Sequence, residues 1–233
     1  VFTTNAGVAG VISITAKVLD NDEEKGIGAF IIETDNLGLR LGPKEKKMGW
    51  NASDTRQIFF EDLRVSDEQR LGKQVDGFRT FLKALVGGRI SVGALSCGTA
   101  EGAYSAALNY SHEREAFGKP IHKFQSVGFK LADMATEIEA SKLLVYQAAK
   151  KYDEGHNVVK EAAMAKLFAS ETAMKTTTEA IQVFGGYGYI KEYPAERFFR
   201  DAKVLTIGEG TSEIQKIIIL REILKSLDNA ISV

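Results

Sequence analysis

The sequence predicts an α+β fold, in which part of an antiparallel β-domain precedes an antiparallel four-helix bundle. Residues 1–75 contain short runs rich in β-branched residues, separated by loops that contain glycine. From about Gly77 onward, apolar residues recur at helical spacing over four long segments. Only three prolines occur among the 233 residues, which suits long uninterrupted helices. We therefore expect a β portion over residues 1–75 and a helical bundle domain over residues 76–233.

Three strands are predicted in the first portion. Residues 10–19 form a β-branched run, which the turn-forming sequence Asp20-Asn21-Asp22 follows. Residues 27–33 form a second run and residues 55–65 a third. Because a few strands are seldom stable alone, we expect another sheet or a helical layer to cover them.

Four long amphipathic helices are predicted in the second portion. They span residues 78–114, 125–154 and 158–184, and the last follows Glu209. Short links between them favour antiparallel packing. One apolar stripe of the second helix is assigned to the core, and its members are Leu131, Met134, Ile138 and Leu143.

Composition limits the classes of function. The chain is 44% hydrophobic, enough for a substantial core, and its formal net charge of -1 offers no basic surface for nucleic acid. No uninterrupted apolar run reaches the roughly 18 residues of a membrane span, so we expect no membrane insertion. The single cysteine, Cys97, excludes an internal disulfide and fits a reducing compartment. The three histidines are scattered in polar surroundings, and we assign no metal site.

One carboxylate near the end of the chain, Glu209, is the principal candidate functional residue. Gly208 and Gly210 flank it, and glycine allows backbone conformations and a close approach of ligand that other residues do not. Thr211 or Ser212 can cap the helix that follows. The positive end of that helix suits an electron-rich or phosphate-bearing ligand. From this segment alone, a polar loop residue before a helix is the commoner interpretation.

The segment around Glu209 resembles a known motif. Residues 200–215 begin Arg-Asp-Ala-Lys and end Glu-Gly-Thr-Ser-Glu-Ile-Gln, which resembles the C-terminal motif of the acyl-CoA dehydrogenases. In that family, the matching glutamate removes the α-proton of an acyl-CoA thioester. The resemblance therefore implies that Glu209 is the catalytic base and that Gly210 lies at the substrate.

Other segments resemble elements of the same family, in the same order along the chain. Those implied to lie along the flavin are Phe2, Thr3 and Thr4 at the start, and Thr211, Ser212 and Glu213 after the base. The segment implied to contact CoA comprises Val86, Gly87, Gly88 and Arg89. Some family members, of the isovaleryl type, carry their base at the position of Gly88.

Two further segments resemble those that hold the diphosphate and the ADP portion of FAD. In the family, these segments contact the FAD of a neighbouring subunit. The first comprises Arg114, Phe117 and Gln125, and the second comprises Gln182, Val183, Phe184, Gly185 and Gly186. The planar guanidinium of Arg114 suits a diphosphate, although a solvated charge at a helix end is commoner. Likewise, Gln182 followed by two glycines is also typical of an ordinary helix C-terminus with a glycine cap.

The resemblance covers essentially the whole chain and implies a short- or medium-chain-like enzyme of fatty acid β-oxidation. It implies FAD-dependent conversion of an acyl-CoA to a trans-2-enoyl-CoA, with electrons passing to an electron transfer flavoprotein. A homotetramer, as a dimer of dimers, is implied, in the cytoplasm of a prokaryote or the mitochondrial matrix of a eukaryote. Because the chain begins at Val1 without methionine, we expect a C-terminal piece that lacks the family's N-terminal helical domain.

Three departures from the family pattern concern the substrate rather than the reaction class. Gly208 stands where many relatives carry tyrosine, Asn51 where arginine is frequent, and Val86 where aspartate is common near CoA. Two alternative functions remain open. One is an acyl-CoA oxidase, which would release peroxide, and the other is a non-catalytic helical scaffold or CoA-binding module.

Overall fold

The chain divides into two compact units, residues 1–84 and residues 85–233. The computed structural model describes residues 2–72 and 75–231. The first long helix, α1 (Gly77–Glu113), begins in the first unit and continues into the second. The predicted boundary at residue 75 thus lies just before this helix, whereas the units divide within it.

The first unit consists of small antiparallel sheets. Its strands in the described residues are β1 (Thr3–Thr4), β2 (Val11–Asp20), β3 (Glu23–Glu33), β4 (Leu39–Leu41), β5 (Thr55–Arg56), β6 (Ile58–Phe60) and β7 (Arg70–Leu71). Strands β2, β3 and β7 form one sheet, β1 pairs with β5, and β4 pairs with β6. These strand pairs are antiparallel, as the sequence predicts, and one isolated bridge, between Ile27 and Asp76, is parallel.

The hairpin of β2 and β3 confirms the first two predicted strands and the turn between them. Asn21 and Asp22 close it with φ angles of 50° and 64°, the left-handed region that a two-residue hairpin turn requires. Along β2, half-buried and exposed residues alternate, the two-residue period of a strand with one covered face. The third prediction, over residues 55–65, was wrong beyond Phe60, because Asp62 takes a φ of 47° and ends the extended run.

The second unit contains three of the four predicted long helices and most of the fourth, α1. These are α1, α2 (Gln125–Asp153), α3 (Val159–Phe184) and α5 (Ser212–Ile231), and their ends lie within one to three residues of the predicted ones. A short helix that the sequence analysis missed, α4 (Ala195–Ala202), follows Pro194, whose fixed φ suits a helix start. A small hairpin of β8 (Glu115–Ala116) and β9 (Lys119–Pro120) links α1 to α2.

Small residues bring the helices of the second unit close together. Six alanines of α3 are fully buried, namely Ala162, Ala163, Ala165, Ala169, Ala173 and Ala180. Leu131, Met134 and Ile138 of α2 are buried as predicted, but Leu143 is 63% exposed. The inner face of α2 continues at Val145 instead, because Leu143 lies five residues after Ile138 and has turned away from it.

Helix α1 bears on the expectation that the chain does not insert into a membrane. Among the described residues, α1 is long and apolar enough by length and composition to cross a bilayer. The core helix of a soluble protein passes the same test, so this is weak evidence. One side of α1 is fully buried in the second unit at Ala100, Ala103 and Ala107.

Candidate active site

Glu209 lies in a tight turn that leads into α5. Its φ is +54°, a region that a glutamate seldom occupies, and Gly210 follows with a φ of +93°. A β-carbon on Gly210 would lie only 2.8 Å from Nε2 of Gln215, so this position requires glycine. Gly208 has no such backbone requirement. The sequence analysis expected a backbone conformation special to glycine at both Gly208 and Gly210. The structure has positive φ angles at Gly210 and at the candidate base Glu209 itself, but not at Gly208.

Thr211, not Ser212, caps α5. Its Oγ1 accepts a hydrogen bond of 3.4 Å from the backbone N–H of Ile214, and the helix begins at Ser212. Ser212 is buried, and its hydroxyl donates to Glu171 of α3. Hydrogen bonds from its own backbone N–H and from Thr211 lower the pKa of the exposed Glu213 carboxyl. Of the two capping residues that the sequence offers, one caps the helix and the other joins it to α3.

The Glu209 side chain points at Gly88 of α1. An ideal β-carbon placed on Gly88 would lie 2.8 Å from Oε2 of Glu209 and 3.2 Å from its Cδ. A contact below 3.0 Å is not tolerated without movement, so the carboxylate fills the space that a side chain at Gly88 would need. The structure thus brings together two residues that lie far apart in sequence. The family resemblance assigns Glu209 as the base and places Gly88 in the segment that contacts CoA.

Arg89 gives this locus a buried positive charge. The residue is only 6% exposed, and its Nε is a buried donor without a hydrogen-bond partner among the residues that the structure describes. Burial lowers the pKa of Arg89, and the nearby Glu209 carboxylate opposes that effect. Arg89 thus places a buried guanidinium close to the Glu209 carboxylate. Val86 and Gly87, on the same helix, are half-buried.

Two buried polar side chains that the sequence analysis missed hold the backbone of the turn. Lys166 of α3 is fully buried and donates from Nζ to the Gly210 carbonyl at 2.9 Å. Gln215 of α5, also fully buried, donates from Nε2 to the carbonyls of Glu209 at 3.1 Å and Gly210 at 2.9 Å. A signal for Lys166 existed, since it lies four residues after Ala162 on the alanine-rich face of α3, where a lysine is unexpected.

A second locus forms around the hairpin of β8 and β9. Phe117 and Gly118 make its turn with φ angles of 50° and 76°, and Phe117 is 96% exposed at the tip. A large aromatic side chain held in the left-handed region and fully presented to solvent is costly for the chain alone. Such a residue is a candidate for contact with a ligand or another chain.

Arg114 and the end of α3 face one another across a cavity of about 410 Å³. Its lining includes Arg114, Val183, Phe184, Gly185, Gly186 and Tyr187. The Arg114 guanidinium lies 5.7 Å from the centroid of the Tyr187 ring, and Gly185 takes a φ of 61° where α3 ends. The structure thus joins five predicted residues from two segments. Tyr187 was missed, although it directly follows Gly186.

The other predicted cofactor residues lie outside this cavity. Gln125 begins α2 and Gln182 lies in the last turn of α3, both exposed, and neither lines the cavity. Phe2, Thr3 and Thr4 belong to the first unit, where Phe2 is 76% exposed. Thr3 lies in β1 and lines a cavity of about 860 Å³ within that unit.

The second locus has the chemistry of a site for a phosphate-bearing aromatic group. A β-carbon on Gly185 or Gly186 would meet nothing within 4 Å, so the backbone there is open to close approach of a ligand. Arg114 is exposed at the cavity and carries the fork of donors that a diphosphate prefers. Tyr187 adds an aromatic face. These residues fit the ADP portion of a dinucleotide such as FAD.

Comparison with known proteins identifies the family. Residues 75–224 match the family model described as "Acyl-CoA dehydrogenase, C-terminal domain". The chain belongs to the acyl-CoA dehydrogenase family. Its membership confirms the family resemblance drawn from the sequence.

Individual members of the acyl-CoA dehydrogenase family align with almost the whole chain. The short-chain specific acyl-CoA dehydrogenase of Megasphaera elsdenii is 47% identical over 218 residues, covering 94% of this chain and 57% of its own length. The caffeyl-CoA reductase-Etf complex subunit CarC of Acetobacterium woodii is 45% identical over 224 residues, covering 96% and 59%. The chain thus spans somewhat more than half the length of these relatives.

A solved structure confirms the predicted fold class. The butyryl-CoA dehydrogenase of Megasphaera elsdenii superposes with a TM-score of 0.91 at 46% identity, covering 95% of this chain and 58% of that one. The acyl-CoA dehydrogenase fold therefore accounts for the arrangement of strands and helices described above. The Glu209 turn and the Arg114 cavity are the features of this fold that carry candidate function.

Proposed function

We propose that the protein to which this chain belongs catalyses α,β-dehydrogenation of an acyl-CoA thioester to the trans-2-enoyl-CoA, with Glu209 as the base. The observation that carries the proposal is the packing of the Glu209 carboxylate against Gly88, beside the buried Arg89. Family membership supports the reaction class.

Glu209 accepts the α-proton of the thioester on its carboxylate, which becomes a neutral carboxyl. The guanidinium of the buried Arg89 lies near this carboxylate. Gly88 leaves room for this carboxylate, because it places no side chain in the space that the carboxylate occupies. Positioned proton transfer of this kind contributes about 10²–10⁴-fold to a rate. A bound FAD would supply the hydride acceptor that removal of the β-hydrogen requires.

Arg114 and the Gly185–Gly186 turn hold the ADP portion of FAD in this proposal. Thr3 and Thr4 of the first unit, with Thr211 and Ser212 of the second, remain predicted flavin contacts. Val86, Gly87 and Arg89 remain predicted contacts of the CoA segment. The assignment of these flavin and CoA contacts rests on the family resemblance, whereas that of Arg114 and the glycine turn is also supported by the cavity that they line.

An electron transfer flavoprotein is the proposed electron acceptor. A relative 45% identical to the chain is named as a subunit of a complex with Etf, which supports this partner. The oxidase alternative would perform the same first step and pass electrons to oxygen. Peroxide release during turnover distinguishes the two, since transfer to a flavoprotein produces none.

Anaerobic titration of the complete holoenzyme with saturated acyl-CoAs of graded length tests the proposed function. We expect short-chain thioesters to bleach the flavin absorbance at equimolar amounts, because a relative 47% identical to the chain is named as short-chain specific. The corresponding enoyl-CoA should appear in the mixture. Binding of acyl-CoA without bleaching at any chain length would instead support the non-catalytic CoA-binding module.

Association with further copies of the chain is also proposed. Helix α5 exposes a set of large apolar side chains in the single chain, namely Ile214, Ile217, Leu220, Ile223, Leu224 and Leu227. Burial of such a face is favourable by about 25 cal/mol per Å² of apolar surface. A homotetramer built as a dimer of dimers remains the expected assembly.

Arg114→Ala should lower flavin occupancy and ease dissociation of the oligomer upon dilution. The substitution removes charge-assisted hydrogen bonds to the diphosphate, each worth about 1.5–3 kcal/mol. If one flavin bridges two subunits, its loss weakens their association by linkage. Flavin absorbance and light-scattering mass across one gel-filtration peak measure both effects.

Arg64→Ala is the matched control for the Arg114 variant, because Arg64 is an exposed arginine of the first unit. We expect it to keep full flavin and the parent's mass. An Arg114→Ala protein that elutes as a monomer with full flavin would contradict a cofactor shared between subunits.

A further inference from the structure

Lys166 is the largest fully buried side chain of the described residues, and it carries an amino group into the core of the helical unit. Its Nζ donates to the carbonyl of Gly210, the residue directly after the proposed base. Burial lowers the pKa of Lys166, which Glu171, Glu209 and Glu213 oppose and Arg89 reinforces. Taking an ammonium out of water is expensive, so a buried lysine needs a specific reason.

Gln215 of α5 also donates hydrogen bonds to the backbone of this turn. Its Nε2 reaches the carbonyls of both Glu209 and Gly210, while its Oε1 is buried without a partner among the residues described. The Gly210 carbonyl thus accepts from two fully buried side chains, one on α3 and one on α5. Two donors from two helices converge on one peptide.

The turn that they hold has an intrinsic cost. Glu209 at a φ of +54° is unfavourable for a residue with a side chain, and such a conformation persists only where the surroundings impose it. Without the two donors, the peptides on either side of Gly210 would be free to rotate toward ordinary conformations. Rotation there would move the carboxylate away from Gly88.

We propose that Lys166 and Gln215 are positioning residues that fix the left-handed turn at Glu209 and so hold its carboxylate against Gly88. Neither touches a reacting atom. The inference rests on the proposed role of Glu209 and adds the two residues that hold its side chain in position. Stability alone does not account for Lys166, because an apolar side chain of equal length would fill the same space without a buried charge.

Lys166→Met in the complete holoenzyme tests the proposal, since methionine keeps the length and removes the donor and the charge. We expect kcat for dehydrogenation to fall by about 10²-fold, the cost of displacing a reacting group by roughly 1 Å. KM should stay within about twofold, because the interaction acts on the base rather than on substrate binding. Flavin occupancy should equal the parent's, and the thermal midpoint should not fall.

Hydrogen–deuterium exchange gives a readout that does not depend on activity. In flavin-loaded Lys166→Met, the amides of residues 208–212 should exchange faster than in the parent, while those of the α3 interior stay protected. Gln215→Glu, which keeps the shape and removes the amide donor, should show the same local increase. Lys175→Met is the matched control, because it makes the same change on the same helix at a lysine paired with Glu137 on the surface.

Three results would overturn the proposal. They are unchanged exchange at residues 208–212, a kcat within about twofold of the parent, or a fall in kcat matched by loss of flavin or of thermal stability. The last would assign Lys166 an ordinary structural role. Failure of the proposed function would look different, because the parent would then bind acyl-CoA without bleaching its flavin. An active Glu209→Gln variant would refute the role of Glu209 as the base, whatever the exchange pattern of the Lys166 variant.

Discussion

Replacing Glu209 by glutamine should abolish acyl-CoA dehydrogenation and leave flavin and thioester binding almost unchanged. Glutamine keeps the size and shape of the side chain that packs against Gly88, but it cannot accept the α-proton. The expected fall in rate lies at or above the upper end of the about 10²–10⁴-fold that a positioned acid or base contributes. Flavin absorbance and acyl-CoA binding to the purified variant measure the two properties that should survive.

Glu154→Gln is a suitable control for this variant. Glu154 lies at the end of α2, half exposed beside His156, and is no part of the proposed site. The same chemical change there should leave turnover at the parent's level. A loss of activity in both variants would trace the effect to protein quality rather than to the base.

Moving the carboxylate from residue 209 to residue 88 should recover part of the activity. Glu209→Gly removes the base, and Gly88→Glu in that background starts a new side chain 2.8 Å from where Oε2 of Glu209 had been. The double variant should exceed the Glu209→Gly single variant by about 10–10²-fold in turnover, a fraction of what a well-placed base contributes. Steady-state assays of both proteins with the same thioester measure the gain.

Gly87→Glu in the same Glu209→Gly background is the matched control. A β-carbon on Gly87 would approach the Tyr152 hydroxyl at 3.4 Å rather than the Glu209 carboxylate, so a glutamate there points elsewhere. We expect no recovery from it. If the variant at Gly88 also recovers nothing while retaining flavin, the two positions do not share access to the α-carbon.

Local sequence patterns were sufficient to predict the elements that local physics decides. The β2–β3 hairpin follows from β-branched runs on either side of Asn21 and Asp22, two residue types that tolerate the left-handed region. The long helices follow from their apolar spacing. By contrast, the residue at which a strand stops can depend on one backbone angle, as at Asp62, which no periodicity reports.

In the candidate site, too, residues within short motifs were predicted from the sequence, whereas a residue that acts through a contact distant in sequence was not. Glu209, Gly88 and Arg114 were found because they lie within short motifs, and the structure adds that Glu209 and Gly88 are in contact. Lys166 was missed because its role depends on a hydrogen bond to a residue 44 positions away. Leu143 was misassigned because a helix places residues five apart on different faces.

Anaerobic stopped-flow mixing of a short-chain acyl-CoA with flavin-loaded parent and Glu209→Gln proteins, followed by flavin absorbance, tests most directly whether Glu209 is the base. If this assignment is correct, the parent bleaches within the time of a turnover, and the variant binds the thioester but keeps its flavin oxidised. Bleaching of the variant at about a tenth of the parent's rate or faster would contradict it, because loss of a true base costs at least about 10²-fold.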